Sequence, residues 1–242
     1  MKYMGSKNRI ANELLKVVLK NREQEQWYVE PFVGGCNVID KVDGNRMALD
    51  KSKYLIAMWK GLQDGNVGLN KIPKDIYDKA RTEYNNGTNI NFTDFEIGWI
   101  GFMASFNGRS FDGGYNGNYT KRDYTSESIK NILPQIPLIK DIYFECTSYD
   151  NFCYPDDAII YCDIPYKGTT SYKTGAFNHP KFWDWCRKMS EKNLVFVSEY
   201  RAPDDFICVW EGEVKTNFAS QRDGATHKAV EKLFKFSPTN AN

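Results

Sequence analysis

Histidine is nearly missing from this chain: His179 and His227 are the only two among 242 residues. The six cysteines (Cys36, Cys146, Cys153, Cys162, Cys186 and Cys208) form no CxxC pair. These shortages argue against a zinc or iron–sulfur centre, and no metal site is expected. Scattered in this way, the cysteines read as reduced, mostly buried thiols of a cytoplasmic protein. No apolar run is long enough to cross a bilayer, and Met1-Lys2-Tyr3-Met4 does not begin a signal peptide, so no membrane partner is expected. Excess charge is missing too. At a formal +1 the whole-molecule field announces no polyanionic partner, and a nucleic acid would have to be met by a local basic groove. Internal repeats and low-complexity stretches are also absent.

What is present is enough chain for a proper core, as one domain or one domain carrying an insertion. Aromatic residues make up 15% of it, enough to supply base-stacking surfaces as well as core packing. The most informative stretch is Ile159-Ile160-Tyr161-Cys162-Asp163-Ile164-Pro165-Tyr166-Lys167-Gly168. Its β-branched apolar start predicts a buried strand, and the strand ends on a carboxylate. Open α/β sheets bind ligands at the carboxyl ends of their strands.

Methylation of an exocyclic amine is the chemistry this ending suggests. Such a nitrogen is a poor nucleophile because its lone pair is delocalised into the ring. Two hydrogen-bond acceptors facing its N–H groups favour a more tetrahedral, more reactive nitrogen. Asp163 could supply one and the backbone carbonyl of Ile164 the other, with Tyr166 stacking on an extruded base.

Further motifs lie upstream. Lys2-Tyr3-Met4-Gly5-Ser6-Lys7 is a basic, glycine-bearing turn leading into a predicted helix from about Ile10 to Leu19. Trp27 to Val38 predicts a strand that runs through Glu30-Pro31-Phe32-Val33-Gly34-Gly35 into a short helix. Gly34 and Gly35 remove side chains where a ligand would approach the backbone. Arg46 to Asp50 predicts a second strand ending on an acid, which can bind ribose hydroxyls in dinucleotide-type folds. Ser52 is the better cap for the helix from about Lys53 to Leu62, leaving Asp50 for a ligand.

From about Leu69 to Pro137 the character changes. Helices are expected from Pro73 to Tyr84 and, capped by Thr93, through Trp99 to Phe106. Asn107 to Tyr124 then mixes Gly, Asn, aromatics and basic groups with almost no aliphatic residues. Such a loop is expected to bury little of itself and suits nucleic acid, with Arg109, Lys121 and Arg122 as candidate contacts. Later strands are expected at Ile142–Cys146, Leu194–Tyr200, Cys208–Trp210, Val214–Phe218 and Ala229–Phe236. A helix is expected from Pro180 to Met189, and polar connections at 167–176 and 220–227.

Asp163-Ile164-Pro165-Tyr166 resembles the Asp-Pro-Pro-Tyr signature of amino-methyltransferases acting on DNA. The order and spacing of the other motifs resemble Dam-type DNA adenine methylases over nearly the whole chain. The resemblance implies an α/β, Rossmann-like methyltransferase sheet with helices on both faces and an inserted, mainly helical target-recognition segment. Residues 1–70 and 138–242 would form the catalytic domain, and 71–137 the insertion. It implies S-adenosylmethionine as methyl donor, held by Tyr3, Lys7, Glu30, Pro31, Phe32, Gly34, Asp50 and Asp163, with Tyr149-Asp150 closing the pocket. Its partner would be double-stranded DNA, in a bacterial or phage-infected cytosol, with the protein a monomer or weak dimer.

The departure is Ile164 in place of the first proline. Its carbonyl survives the change, and Pro165 still biases residue 164 toward extended backbone, so activity is expected to be normal or reduced. Cytosine-N4 methylation, methylation of RNA or a protein amide, and a silent DNA- and donor-binding homologue stay open at this point.

Overall fold

A computed structural model describes residues 1–117, 123–166, 177–215 and 228–238, with no side-chain description at 214, 215, 228 and 229. Among the described residues seven strands form one sheet: β1 (Tyr28–Glu30), β2 (Arg46–Asp50), β3 (Tyr143–Cys146), β4 (Ile159–Asp163), β5 (Leu194–Ser198), β6 (Phe206–Lys215) and β7 (Lys228–Phe236). Their order across the sheet is β3-β2-β1-β4-β5-β7-β6. The first five run parallel, and β7 enters antiparallel between β5 and β6.

This order creates a switch point. From β1 the chain proceeds outward to β2 and β3, then returns to lay β4 on the other side of β1. Connections leave β1 and β4 in opposite directions, which opens a crevice at their carboxyl ends. Glu30, Asp50 and Asp163 each end a strand there.

Both faces of the sheet are covered, because neighbouring strand residues point opposite ways. Tyr28, Ile159 and Tyr161 join one apolar cluster with α1 (Ala11–Val18), α2 (Lys53–Gln63) and α4 (Asp94–Ala104). Val29, Ile160 and Cys162 join a second with α6 (His179–Met189).

The helices begin where the capping chemistry places them. Ser52 Oγ accepts from Leu55 N–H at the start of α2. Thr93 and Glu96 form a reciprocal capping box on α4. Between these, α3 (Lys74–Asn86) follows Pro73 and stops at Gly87, whose φ of 66° is the left-handed conformation that ends helices. α4 is buried throughout from Ile97 to Ala104, and Gly98 brings it against α2 so closely that a Cβ would run into the Tyr54 carbonyl. The helical segment after residue 70 therefore shares the core of the sheet.

Four sequence expectations are corrected. An additional helix, α5 (Tyr124–Ile132), opens on Asp123, whose carboxylate accepts from Ser126 N–H. Its polar first turn hides it in a run of loop-like composition. The expected strand at 208–210 and the start of the one expected at 214–218 belong to one strand, β6, interrupted by a register shift between Cys208 and Trp210, while 216–218 lie outside the described residues. The helix after the glycine loop is only a 3-10 turn, Ile39–Lys41. Lastly, the described part of the 107–124 loop buries more than its composition suggested. Phe111 is buried against Tyr77 and Tyr84, and Tyr115 donates its hydroxyl to the Ile72 carbonyl at 2.8 Å. Aromatic rings supply the core that aliphatic residues do not.

Candidate active site

At the end of β4, Asp163 is about a quarter exposed (26%), while Lys7 is almost wholly buried at 7%. Lys7 Nζ lies 3.2 Å from Asp163 Oδ1 and 3.5 Å from Glu231 Oε2. The Lys7 ammonium also lies 4.5 Å from the centre of the Tyr166 ring, a cation–π distance. Tyr166 donates its hydroxyl to Glu231 Oε2 at 2.6 Å, and its ring meets Tyr200 edge-on at 4.7 Å. Behind Asp163, the hydroxyls of Tyr161 and Ser198 are bonded at 2.8 Å across β4 and β5.

The charges of this cluster are interdependent. Burial pushes the Asp163 carboxyl above its ordinary value; Lys7 pulls it down and Glu231 pushes it further up. Burial works against the Lys7 ammonium, but Asp163 and Glu231 outweigh it and its pKa is raised. Nearby Glu30, at the end of β1, is buried, accepts from the Tyr28 hydroxyl at 2.8 Å, and is pushed well up by its desolvation.

Ile164 is 3% exposed and belongs to the apolar cluster beneath the sheet. Its side chain is thus an anchor for the turn after Asp163, where a proline would restrict the turn through its ring. Pro165 is half-buried beside it.

A second group of residues surrounds the end of β1 and β2. Gly34 takes a φ of 47° and Cys36 one of 52°, both in the left-handed region, so the glycine loop turns sharply. Tyr3 lies over this loop: a Cβ on Gly34 would come within 2.7 Å of its ring. From below, Gln135 Nε2 donates to the Gly35 and Cys36 carbonyls at 3.2 and 3.3 Å and to Asp40 at 2.8 Å. Trp59 Nε1 holds the Gly34 carbonyl at 3.0 Å.

Asp50 accepts from Gly34 N–H at 3.3 Å and from Ser52 N–H at 2.9 Å. The Lys51 backbone also bonds it, and since a carboxylate has about four acceptor positions, roughly one remains for a hydroxyl of a ligand. Phe32, with buried Pro31 before it, packs on Tyr149 at 5.4 Å and on Phe177 and Phe182 at 5.8 Å. Asp150 is bound by Ser148 and Lys181, both at 2.5 Å. An acceptor carboxylate, a bare glycine turn and an aromatic wall together suit a nucleoside-bearing ligand.

The structure therefore brings Tyr3, Phe32, Gly34 and Asp50 to one loop cluster, and Lys7, Asp163 and Tyr166 to the other. Sequence reasoning missed Glu231, Tyr200 and Tyr161. For Glu231 a signal existed: it shares a face of β7 with the fully buried Leu233, two residues on, so it is an acid at an inward position.

Of the expected DNA contacts, Lys121 and Arg122 lie outside the described residues. Arg109 is half-buried at the end of a 3-10 turn, Phe106–Gly108, and Phe106 is 54% exposed. Gly108 packs so tightly on the Lys2 carbonyl that a Cβ would collide with it, and Lys2 pairs with Glu127 at 3.0 Å. The basic loop is thereby braced on the segment that carries Tyr3 and Lys7. Among the described residues no His, Cys, Asp and Glu cluster could hold a metal, and no helix is long and apolar enough to cross a membrane.

No curated protein matches the chain. A family model described as "D12 class N6 adenine-specific DNA methyltransferase" matches residues 3–198.

Proposed function

The chain belongs to the D12 class of N6 adenine-specific DNA methyltransferases, and on that premise we propose that S-adenosylmethionine is its methyl donor and Asp163 its principal catalytic residue. The observation that carries the residue assignment is the position of Asp163 at the switch point, partly exposed, with Lys7 on one carboxylate oxygen. Its remaining lone pairs are available to an amine N–H.

In this reading Asp50 holds a ribose hydroxyl of the donor, and Tyr3 with Gly34 shapes the turn beside it. Phe32 and Tyr149 wall the adenosyl ring, and Glu30 with Pro31 holds the strand end that presents the loop. The bound donor supplies an electrophilic methyl group on a sulfonium. Asp163 and the Ile164 carbonyl accept the two N–H bonds of the extruded adenine, while Tyr166 lies against its ring. The amine gains the methyl group and gives up one proton along the hydrogen bond to Asp163. Residues 71–137 act as the target-recognition segment on double-stranded DNA, in a cytoplasmic setting.

Two outcomes follow. Ile164→Pro should change turnover by less than about tenfold, because the acceptor pair is a carboxylate and a backbone carbonyl. Single-turnover methylation measures it, and a gain of several orders of magnitude would show the turn to be misread. Arg109→Ala should weaken binding to all duplex sequences alike and reduce the slope of log affinity against log salt by about one, as loss of a phosphate contact does. Anisotropy titrations over a salt series measure this. A change confined to one base position would make Arg109 a reader of sequence.

A further inference from the structure

The Lys7 ammonium is shared by two carboxylates, although the proposed reaction needs only one. The second, Glu231, stands on β7, opposite Gly212 of β6 and beyond residue 198, where the family match ends. Its Oε2 lies 3.5 Å from Lys7 Nζ and accepts the Tyr166 hydroxyl at 2.6 Å. One oxygen thus touches both the partner of the acceptor and the ring that flanks the base.

We propose that Glu231 is a positioning residue for methyl transfer: it draws the Lys7 ammonium partly off Asp163 and fixes the ring of Tyr166. The proposal rests on the reading of Asp163 as acceptor. An ammonium has three donors and no acceptor, so with a single carboxylate beside it the pairing would fall wholly on that group. Lys7 would then compete with the adenine amine for the Asp163 oxygens. With Glu231 present, two carboxylates face one ammonium, and the cluster keeps a net negative charge beside a nitrogen that becomes more positive as it is methylated.

Charge on Glu231 also acts on Asp163 directly. The groups facing Asp163 are Lys7 from the amino-terminal segment, Glu231 from β7, Glu30 from β1, Tyr161 within β4, and Tyr166 and Tyr200 from the turns after β4 and β5. Glu231 is a carboxylate among them that raises the Asp163 pKa. Neutralising it should therefore lower the pH at which Asp163 loses its proton.

The test is a single-turnover methylation profile between about pH 5 and pH 9 for the full chain on unmethylated genomic DNA. The chains are wild type, Asp163→Ala, Glu231→Gln, Glu231→Asp and Tyr166→Phe. Methylation by wild type and its loss in Asp163→Ala establish the underlying reading; activity in Asp163→Ala would overturn that reading by itself.

With that reading in place, Glu231→Gln should lower the plateau rate at least about tenfold and move the acid inflection to lower pH. Glu231→Asp should recover part of the rate. A plateau within about twofold of wild type would overturn the proposal, as would a lower plateau with an unmoved inflection, which is what a merely structural loss gives. Tyr166→Phe breaks the same hydrogen bond without altering charge, and serves if Glu231→Gln does not fold. It should lower the plateau at an unmoved inflection while leaving the Tm and the affinity for S-adenosylmethionine as in wild type. A plateau within about twofold of wild type would again overturn the proposal, as would a lower plateau accompanied by a fall in Tm or donor affinity, the mark of a merely structural loss here.

Discussion

DNA from a methylation-free host expressing this chain should carry N6-methyladenine, and the Asp163→Ala variant should leave it unmarked. Removing one preorganised polar partner of a reacting group typically costs about 10²–10³-fold in rate. Here the loss is compounded, because alanine also strips Lys7 of its closer carboxylate and leaves the ammonium to Glu231. Asp163→Asn is the sharper variant. It keeps the shape but turns one acceptor into an N–H₂ donor, which would face the donor groups of the amine and of Lys7. It should therefore be nearly as inactive as alanine while folding as well as wild type. Nucleoside mass spectrometry of host DNA reads the outcome. N4-methylcytosine would contradict the adenine assignment. If neither mark came from a folded wild-type protein that binds S-adenosylmethionine, the silent homologue would become the better reading.

Much of the candidate site's layout is legible in the sequence, and the reasons are local. Asp50 and Asp163 announce themselves as acids that end apolar strands, and Gly34 and Gly35 mark a turn that a side chain would block. Ser52 and Thr93 named their helices because capping is short-range chemistry within a few residues. The choice between adenine and cytosine was not legible, since an acceptor pair serves both exocyclic amines; the family match supplies adenine.

What local reasoning could not reach depends on pairing across the sheet. Glu231 comes to Lys7 only because β7 inserts antiparallel between β5 and β6, a register no single strand encodes. The loop around Phe111 read as exposed because its partners, Tyr77 and Tyr84, lie on a helix some thirty residues earlier. Ile164 shows the reverse case. As a motif letter it looked like a defect in a signature, yet in three dimensions it is a buried anchor of the turn after Asp163.

Lys7→Met should cost stability as well as activity, and the cost should depend on pH in a definite direction. Methionine fills a similar volume, so the main change is the loss of a buried positive charge between Asp163 and Glu231. Breaking a buried ion pair by removing one partner typically costs about 3–5 kcal/mol; because Asp163 is partly open to solvent, about 3 kcal/mol is expected. For a chain of this size that corresponds to a fall in Tm of roughly 6–12 °C.

In wild type the raised Lys7 pKa means that its contribution is fully present below the ordinary lysine value and lost only as pH rises through the folded value. Without Lys7, the Asp163 carboxyl, already raised by burial, loses the group that pulled it down. The folded variant then holds protons that the unfolded chain has released. Its stability should fall as pH rises from the ordinary carboxylate range toward neutrality. Urea unfolding of both proteins at about pH 5 and about pH 8 tests this, with the larger deficit expected at the higher pH. A deficit under about 1 kcal/mol at both values would mean that solvent already screens the three charges. The ammonium would then hold Asp163 in place without being needed to neutralise it.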